Sequence, residues 1–133
     1  EEGLIGHIGL STVDMAQITT AREIAPIVCV QNLYNLAHRS DDAVIDALAG
    51  DGIAYVPYFP LGGFQPLQME ALNAVAARLG ESAQSVALAW LLQRSPNILV
   101  IPGTASRDHL RSNIAAASLR LDDEALALLN RLG

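Results

Sequence analysis

Four short apolar runs, rich in Ile and Val, recur along the chain and are too short to form helices. They cover Ile5–Leu10, Ile27–Val30, Ile53–Tyr58 and Ile98–Ile101. Each run is bounded by Gly, Pro or Asn, a pattern typical of strands that are buried on both faces. We therefore predict four strands of a parallel sheet that helices cover.

Segments with the apolar period of a helix separate these runs. Ser40 is a candidate N-cap, and after it Val44, Ile45 and Leu48 share one helix face. Two helices are predicted in the longer gap after the third run. The predicted helix ends are Met69–Leu79 before Gly80, Ser82–Gln93 with Ser82 as N-cap, a helix capped by Ser106, and Asp123–Leu132 capped by Asp122.

This alternation predicts the α/β class, in one unit over residues 1–133. Four parallel βα units, with an extra helix before the last strand, match half of a TIM (β/α)8 barrel, whose complete form needs about 250 residues. The chain opens Glu1-Glu2-Gly3-Leu4 without Met, so we expect it to be a piece of a longer protein. A half-barrel alone exposes strand edges and an apolar inner face, which a missing half or a second copy would cover.

Composition narrows the classes of function. The 8 basic residues are all Arg and scattered, against 14 acidic residues, and a net charge of −6 argues against nucleic-acid binding. The single cysteine, Cys29, lies in an apolar run and is predicted to be a buried structural thiol. No apolar stretch reaches the roughly 20 residues that span a bilayer, so a cytoplasmic protein without a membrane partner is expected.

Polar residues follow each apolar run, where a βα barrel carries its functional groups. Taken singly, each has a structural interpretation. Ser11 or Thr12 could cap a helix, Gln31 and Asn32 could be loop residues, and Tyr58 could be a packed aromatic. The segment Pro102-Gly103-Thr104 could be a simple turn.

In this order and spacing, the segments resemble the ends of the fifth to eighth strands of the aldo-keto reductases. The resemblance covers almost the whole chain. The matching residues are Gly9-Leu10-Ser11-Thr12, with Thr12 where the family has Asn; Gln31, Tyr34 and Asn35; Tyr58-Phe59-Pro60-Leu61-Gly62; and Ile101-Pro102-Gly103-Thr104, followed by Ser112-Asn113.

The resemblance implies a nicotinamide dinucleotide cofactor and a small carbonyl substrate. Ser11 and Gln31 would bind the carboxamide, and Tyr58 would offer a flat face to the nicotinamide ring. The turn Pro60–Gly63 would approach the pyrophosphate, and Asn113 would pair with adenine. The implied cofactor-binding residues are Ser11, Thr12, Gln31, Tyr58, Phe59, Pro60, Leu61, Gly62, Gly63, Gly103, Thr104, Ala105, His109, Ser112 and Asn113.

The resemblance favours NADP(H) over NAD(H), but two departures leave that preference open. Gly103 stands where many members carry Lys, and His109 stands where a later Arg is found. Thr104, Ala105 and the helix N-terminus after them would form the anion site at the adenosine end. Arg107 and Arg111 are nearby substitutes that could contact phosphate or remain solvated.

The family's proton-donating Tyr and its Asp, Lys and His partners belong to the first four strands, which this chain does not match. The sequence contains no Lys that could lower the pKa of Tyr34, Tyr55 or Tyr58. We therefore predict no catalytic residue in this chain and no turnover by it alone. His7 and His38 lack metal-ligand spacing and are interpreted as structural.

Two other functions remain open. A free-standing half-barrel could bind cofactor or associate with itself without turnover. A flavin or phosphosugar barrel would also use its last two strands for phosphate, but it leaves Ser11, Gln31 and Tyr58 unexplained.

Overall fold

The computed structural model describes residues 2–63, 67 and 69–132. Within these residues it has three strands, six α-helices and one 3-10 turn. In chain order they are β1 (Ile8–Ser11), α1 (Met15–Ile24), β2 (Ile27–Gln31), α2 (Asp42–Gly50), β3 (Ala54–Tyr55), α3 (Glu70–Leu79), α4 (Ala83–Arg94), α5 (Arg107–Ala115), the 3-10 turn Ala116–Ser118 and α6 (Asp123–Leu129).

The strands form a parallel sheet in the order β1-β2-β3. Gly9 of β1 lies opposite Cys29 of β2, and Ser11 lies opposite Gln31. A Cβ atom on Gly9 would lie 2.5 Å from the Cys29 Sγ atom, so the two strands need glycine at this position. Cys29 is half-buried, not buried as the sequence predicted, and its sulfur lies over Gly9, where the neighbouring strand has no side chain to cover it.

The prediction of a fourth strand over Ile98–Ile101 is wrong. Among the described residues, this segment forms no regular strand. Ile98 forms one parallel bridge with Tyr55, and Leu99 N–H donates to the Tyr55 carbonyl oxygen over 2.9 Å. The next bond of a parallel ladder would require an N–H at Pro57, which proline lacks. The segment therefore lies beside β3 without continuing its ladder.

The predicted ends of two other strands also change. β1 begins at Ile8 and not at Ile5, and the residues before it are exposed. β3 covers two residues of the predicted Ile53–Tyr58. Its pairing with the β2 side nevertheless extends further, because the Tyr58 N–H donates to the Asn32 carbonyl oxygen over 2.9 Å.

Three of the predicted N-caps are confirmed. The side chains of Ser82, Ser106 and Asp122 each accept the backbone N–H of the residue three positions on. Ser40 is not a cap, because α2 begins after Asp41, whose carboxylate binds other partners. Helix α3 begins one residue after Met69, α4 includes Arg94, and α6 ends at Leu129 rather than Leu132.

The hydrophobic core lies on one side of the sheet, between the strands and the helices. Its largest fully buried side chains include Tyr34, Tyr55 and Trp90, with the Tyr34 and Trp90 rings stacked at 5.9 Å. Because side chains alternate along an extended chain, Leu99 and Ile101 face the other way from the buried Ile98. They are 57% and 46% exposed, so the face opposite the helices carries uncovered apolar side chains.

Candidate functional site

The loops that follow β1 and β3 bring three hydroxyl groups together. The Thr12 Oγ1 atom lies 3.4 Å from the Ser11 Oγ atom and 3.4 Å from the Tyr58 hydroxyl. Gln31 borders this cluster, because it pairs with Ser11 and its carbonyl oxygen accepts the Thr12 N–H over 2.9 Å. All four side chains are exposed or half-buried, so a ligand can reach them. We name Ser11, Thr12 and Tyr58 the hydroxyl cluster.

A tight turn continues from the hydroxyl cluster through residues 59–63. The Tyr58 and Phe59 rings meet edge to face at 5.4 Å. Phe59, Gly62 and Gly63 all have positive φ angles, of 53°, 89° and 64°. A Cβ atom on Gly63 would lie 2.6 Å from the Phe59 ring, so this position needs glycine for both its φ angle and its close contact. Pro60 is buried beneath the turn.

A cavity of about 250 Å³ lies on the other side of this turn, between the start of α4, the segment before α5 and one face of α5. Its lining contains six of the residues predicted to bind cofactor, together with two from the start of α4. The lining residues are Leu61, Ser82, Gln84, Gly103, Thr104, His109, Ser112 and Asn113. We name this space the adenosine-end cavity, after the cofactor part that the family resemblance assigns to it.

Sequence reasoning missed two residues of this cavity. Ser82 was identified only as a helix cap, and Gln84 not at all. The Ser82 hydroxyl lies 2.8 Å from that of Ser85, which in turn lies 3.0 Å from that of Ser112. These contacts between hydroxyl groups join α4 to α5. The local sequence of either helix does not predict them, because they depend on how the two helices pack.

The approach to α5 presents backbone rather than bulky side chains. Gly103, Thr104 and Ala105 are exposed, and a Cβ atom on Gly103 would contact nothing within 4 Å. The Thr104 hydroxyl accepts the Ser106 N–H over 3.1 Å, which shapes the entry to the helix. Backbone groups at a helix N-terminus suit an anion.

The arginines near α5 do not line the cavity. Arg107 and Arg111 lie outside its lining, and Arg111 pairs with Asp108 over 3.0 Å on the exposed surface. His109 does line the cavity, and its backbone N–H donates to the Ser106 hydroxyl over 3.3 Å. Among the residues that line the cavity, His109 is therefore the one that carries an imidazole.

One residue of the matched motif after β2, Tyr34, is part of the hydrophobic core. Tyr34 is fully buried, and its hydroxyl donates to Asp42. Burial, and then the hydrogen bond to this carboxylate, raise the pKa of Tyr34 to about 12. Burial opposes ionisation of Asp42, but Tyr34 and the guanidinium groups of Arg39 and Arg94 outweigh it and hold the pKa of Asp42 below its usual value.

The third tyrosine, Tyr55, is also part of the core. Its hydroxyl donates to Asp41 over 2.9 Å, and burial followed by this hydrogen bond raises its pKa. Asp41 also accepts the side-chain amide of Asn32 over 2.6 Å. The sequence offers only a loop interpretation for Asn32 taken singly, whereas the structure buries it to 6% exposure and bonds it to Val13, Asp41 and Tyr58.

The chemistry of these groups suits a dinucleotide cofactor that carries a nicotinamide ring. The hydroxyl cluster and Gln31 offer neutral donors and acceptors beside an aromatic face, as a carboxamide-bearing ring requires. The glycine-containing turn offers backbone, and the adenosine-end cavity offers hydroxyl, amide and imidazole groups at a helix N-terminus. Leu61 belongs to both the turn and the cavity, so the parts are continuous.

The described residues contain no candidate metal site and no helix that could cross a membrane. Across residues 2–63, 67 and 69–132, no three His, Cys, Asp or Glu side chains come together as a metal site would require. His38 pairs through its backbone with Asn35, and His7 is exposed. None of the helices described here has the length and apolarity needed to cross a membrane.

Two solved structures resemble this fold closely. A thermostable aldo-keto reductase in complex with the inhibitor epalrestat superposes with a TM-score of 0.89 at 32% identity, over 98% of this chain and 50% of that one. An aldo/keto reductase from Klebsiella pneumoniae, in complex with NADP and acetate, superposes with a TM-score of 0.85 at 27% identity, over 95% of this chain and 47% of that one.

Sequence comparison gives the same result. Pyridoxine 4-dehydrogenase of Escherichia coli (strain K12) is 65% identical over 130 residues, which are 98% of this chain and 46% of that protein. The chain therefore spans about half the length of the curated relatives it matches. The sequence profile of the aldo/keto reductase family matches residues 1–133. The chain belongs to the aldo/keto reductase family.

Proposed function

We propose that this chain is the C-terminal half of a (β/α)8 barrel and supplies most of the cofactor site of an NADP(H)-dependent aldo-keto reductase. The complete enzyme would reduce an aldehyde or ketone by hydride transfer. The observation that carries the proposal is the continuity of the site. One turn, residues 59–63, leads from the hydroxyl cluster to the adenosine-end cavity, and these parts offer the groups that the two ends of the cofactor require.

The residues at the nicotinamide end would bind the nicotinamide ring and fix its orientation. Ser11 and Gln31 would hydrogen-bond the carboxamide, and Tyr58 would cover one face of the nicotinamide ring. The substrate carbonyl would then approach the ring from its uncovered face. The bound cofactor supplies the hydride, and the protein supplies its orientation.

The remaining residues bind the phosphates and adenine. The backbone of Pro60–Gly63 would hold the pyrophosphate, where larger side chains would obstruct it. Gly103, Thr104, Ala105 and the start of α5 would hold the phosphate on the adenosine ribose, and Asn113 would pair with adenine. The NADP bound to the Klebsiella pneumoniae relative supports NADP(H) over NAD(H) as the cofactor.

The proton donor lies outside this chain in our proposal. The hydroxyls of Tyr34 and Tyr55 are buried and held by Asp42 and Asp41, and the pKa of each is raised, which opposes proton release near neutrality. The sequence contains no Lys that could lower the pKa of a tyrosine. The other half of the barrel would supply the residue that donates the proton. We also propose that the complete protein is located in the cytoplasm.

A second candidate rests on the uncovered face of the sheet. Leu99 and Ile101 are exposed there, opposite the helical core. A free-standing half-barrel would cover this face with a second copy of itself and bind cofactor without turnover.

Complementation separates the two candidates. We would measure NADPH binding by fluorescence. We would measure turnover in the direction of alcohol oxidation, as reduction of added NADP+ to NADPH, with pyridoxine as the first alcohol because of the relative named for it. The same measurements would be made on this chain joined to the N-terminal half of the Escherichia coli relative. We expect binding without turnover by the chain alone, and turnover by the joined protein. Turnover by the chain alone contradicts our assignment of the proton donor, and absence of NADPH binding by both contradicts the cofactor site.

A further inference from the structure

Thr12 has a backbone conformation that a β-branched residue rarely adopts. Its φ angle is +56°, in the left-handed region where Gly and Asn are far more common. A residue keeps such a conformation only where its surroundings hold it in place. This conformation also directs the Thr12 hydroxyl to within 3.4 Å of the Tyr58 hydroxyl.

Hydrogen bonds hold the backbone on both sides of Thr12. Its own N–H donates to the Gln31 carbonyl oxygen over 2.9 Å. The next residue, Val13, is held twice by the side-chain amide of Asn32. The Asn32 Oδ1 atom accepts the Val13 N–H over 3.0 Å, and the Asn32 Nδ2 atom donates to the Val13 carbonyl oxygen over 2.8 Å. This paired contact fixes the position and the orientation of Val13.

Asn32 is itself held in one orientation. Its Nδ2 atom also donates to Asp41 Oδ2 over 2.6 Å, and the same carboxylate oxygen accepts the Tyr55 hydroxyl over 2.9 Å. An ionised carboxylate can only accept hydrogen bonds, so the nitrogen of the amide must face it and the oxygen must face Val13. The backbone carbonyl oxygen of Asn32 accepts the Tyr58 N–H over 2.9 Å. One buried residue thus contacts the backbone on both sides of the hydroxyl cluster.

We propose that Asn32 is a positioning residue for the nicotinamide end of the cofactor. It acts without touching the cofactor, by holding Val13, and with it Thr12, and by holding Tyr58 at a fixed separation. This inference rests on the proposed function, since it assumes that the hydroxyl cluster binds nicotinamide.

The test compares the binding of two ligands by variants at two asparagine positions. NADPH contains both ends of the cofactor, whereas 2′,5′-ADP contains only the adenosine end. Asn32→Asp keeps the size of the side chain, removes its N–H donors and introduces a second carboxylate beside Asp41. Asn97→Asp is the matched control, because Asn97 Nδ2 donates to the Ile53 carbonyl oxygen over 2.9 Å, at the other end of β3. Asn32→Ser serves if Asn32→Asp does not fold.

We expect the Asn32 variant to bind NADPH about tenfold more weakly, the loss common when a supporting residue of a ligand site is removed. Its affinity for 2′,5′-ADP should stay within about twofold of the unmodified chain. Asn97→Asp should lower the midpoint of thermal unfolding and leave both affinities unchanged. An unchanged NADPH affinity, or an equal loss for both ligands, overturns the proposal, because the second result is that of a general structural role.

Amide hydrogen exchange keeps the two levels of inference distinct. If neither the unmodified chain nor the joined protein binds NADPH, the proposed function fails, and exchange still tests whether Asn32 holds this backbone. Faster exchange at the Thr12 and Val13 amides in the Asn32 variant, and not in Asn97→Asp, supports the positioning role. Unchanged exchange at both amides overturns it.

Discussion

The side-chain amide of Asn35 donates a hydrogen bond to the carbonyl oxygen of Phe59 over 2.9 Å. The same carbonyl oxygen accepts the Gly62 N–H over 2.9 Å, so the bond within the turn and the bond from the β2 side converge on one atom. The Asn35 Oδ1 atom is occupied by the Ala37 N–H. The turn at residues 59–63 is therefore anchored from outside by the segment that follows β2, in a conformation that includes a positive φ angle at Phe59.

Gly63→Ala should destabilise the protein more than Gly80→Ala. Both glycines have similar φ angles, of 64° and 67°, and an alanine at either costs roughly 1–2 kcal/mol for the left-handed conformation. Only at Gly63 would the new Cβ atom clash, at 2.6 Å from the Phe59 ring, whereas nothing lies within 4 Å at Gly80. We expect about 1 kcal/mol of additional loss for Gly63→Ala.

Urea denaturation measures both changes, and NADPH titration measures their effect on the site. Gly63→Ala should also weaken NADPH binding, and Gly80→Ala should not. Equal stability of the two variants would mean that the Phe59 ring moves aside without cost.

Tyr34 should make the protein sensitive to alkaline pH. Its pKa is about 12 in the folded chain, against 10.0 in an unperturbed tyrosine, with burial and then Asp42 as the causes. Because the folded pKa is the higher one, this contribution to the free energy of unfolding is fully present below about pH 10 and is lost as the pH rises through about 12.

Tyr34→Phe provides the comparison. It should be less stable than the unmodified chain near neutrality, since Asp42 loses a donor. Its stability should then fall less steeply between about pH 10 and 12. Urea denaturation at a series of pH values measures both slopes, and parallel curves for the two proteins would contradict the assignment to Tyr34.

Features that depend on a few neighbouring residues were predictable from the sequence. The caps Ser82, Ser106 and Asp122 each bond within one helical turn, so their local pattern is sufficient. The extent of strand pairing was not predictable in this way. Ile98–Ile101 has the composition of a strand, but its hydrogen bonding to β3 ends at Pro57, which is distant in the sequence.

The residues of the candidate site were likewise only partly predictable from the sequence. The family motif identified Tyr58 and Thr104, which lie just after strand-like segments. The motif also included Tyr34, whose ring turns into the core. Conversely, Gln84 reaches the adenosine-end cavity only because α4 packs beside α5, and such a long-range contact leaves no local pattern in the sequence.

Leu99→Ser should reduce self-association of the isolated chain. Leu99 is 57% exposed on the face opposite the helices, where an uncovered apolar surface favours dimers or aggregates. Ile114→Ser is the control, because Ile114 is 66% exposed but lies on α5. Sedimentation should show an associating unmodified chain, a more monomeric Leu99→Ser variant and an unaltered Ile114→Ser variant. A monodisperse, cooperatively folding unmodified monomer would count against the half-barrel.

Tyr58→Ala should weaken binding of NADPH by about one order of magnitude in the protein that contains both barrel halves. The ring is half-buried, touches Phe59 edge to face, and ends in a hydroxyl 3.4 Å from Thr12. Aromatic stacking contributes roughly 0.5–1.5 kcal/mol beyond area burial, and about 1.4 kcal/mol corresponds to tenfold in affinity. Tyr58→Phe should change affinity little, because it keeps the ring and removes only a long hydroxyl contact.

The opposing interpretation, that Tyr58 is a packing residue, makes a different prediction for the same variants. In that case Tyr58→Ala lowers stability by the loss of a packed ring, and the folded fraction binds NADPH as before. Fluorescence titration of NADPH, with the folded fraction measured independently by urea denaturation, separates these outcomes. Unchanged affinity in folded Tyr58→Ala would remove Tyr58 from the site. A large loss in Tyr58→Phe would instead assign the binding contribution to the hydroxyl, and so to its contact with Thr12 rather than to the ring.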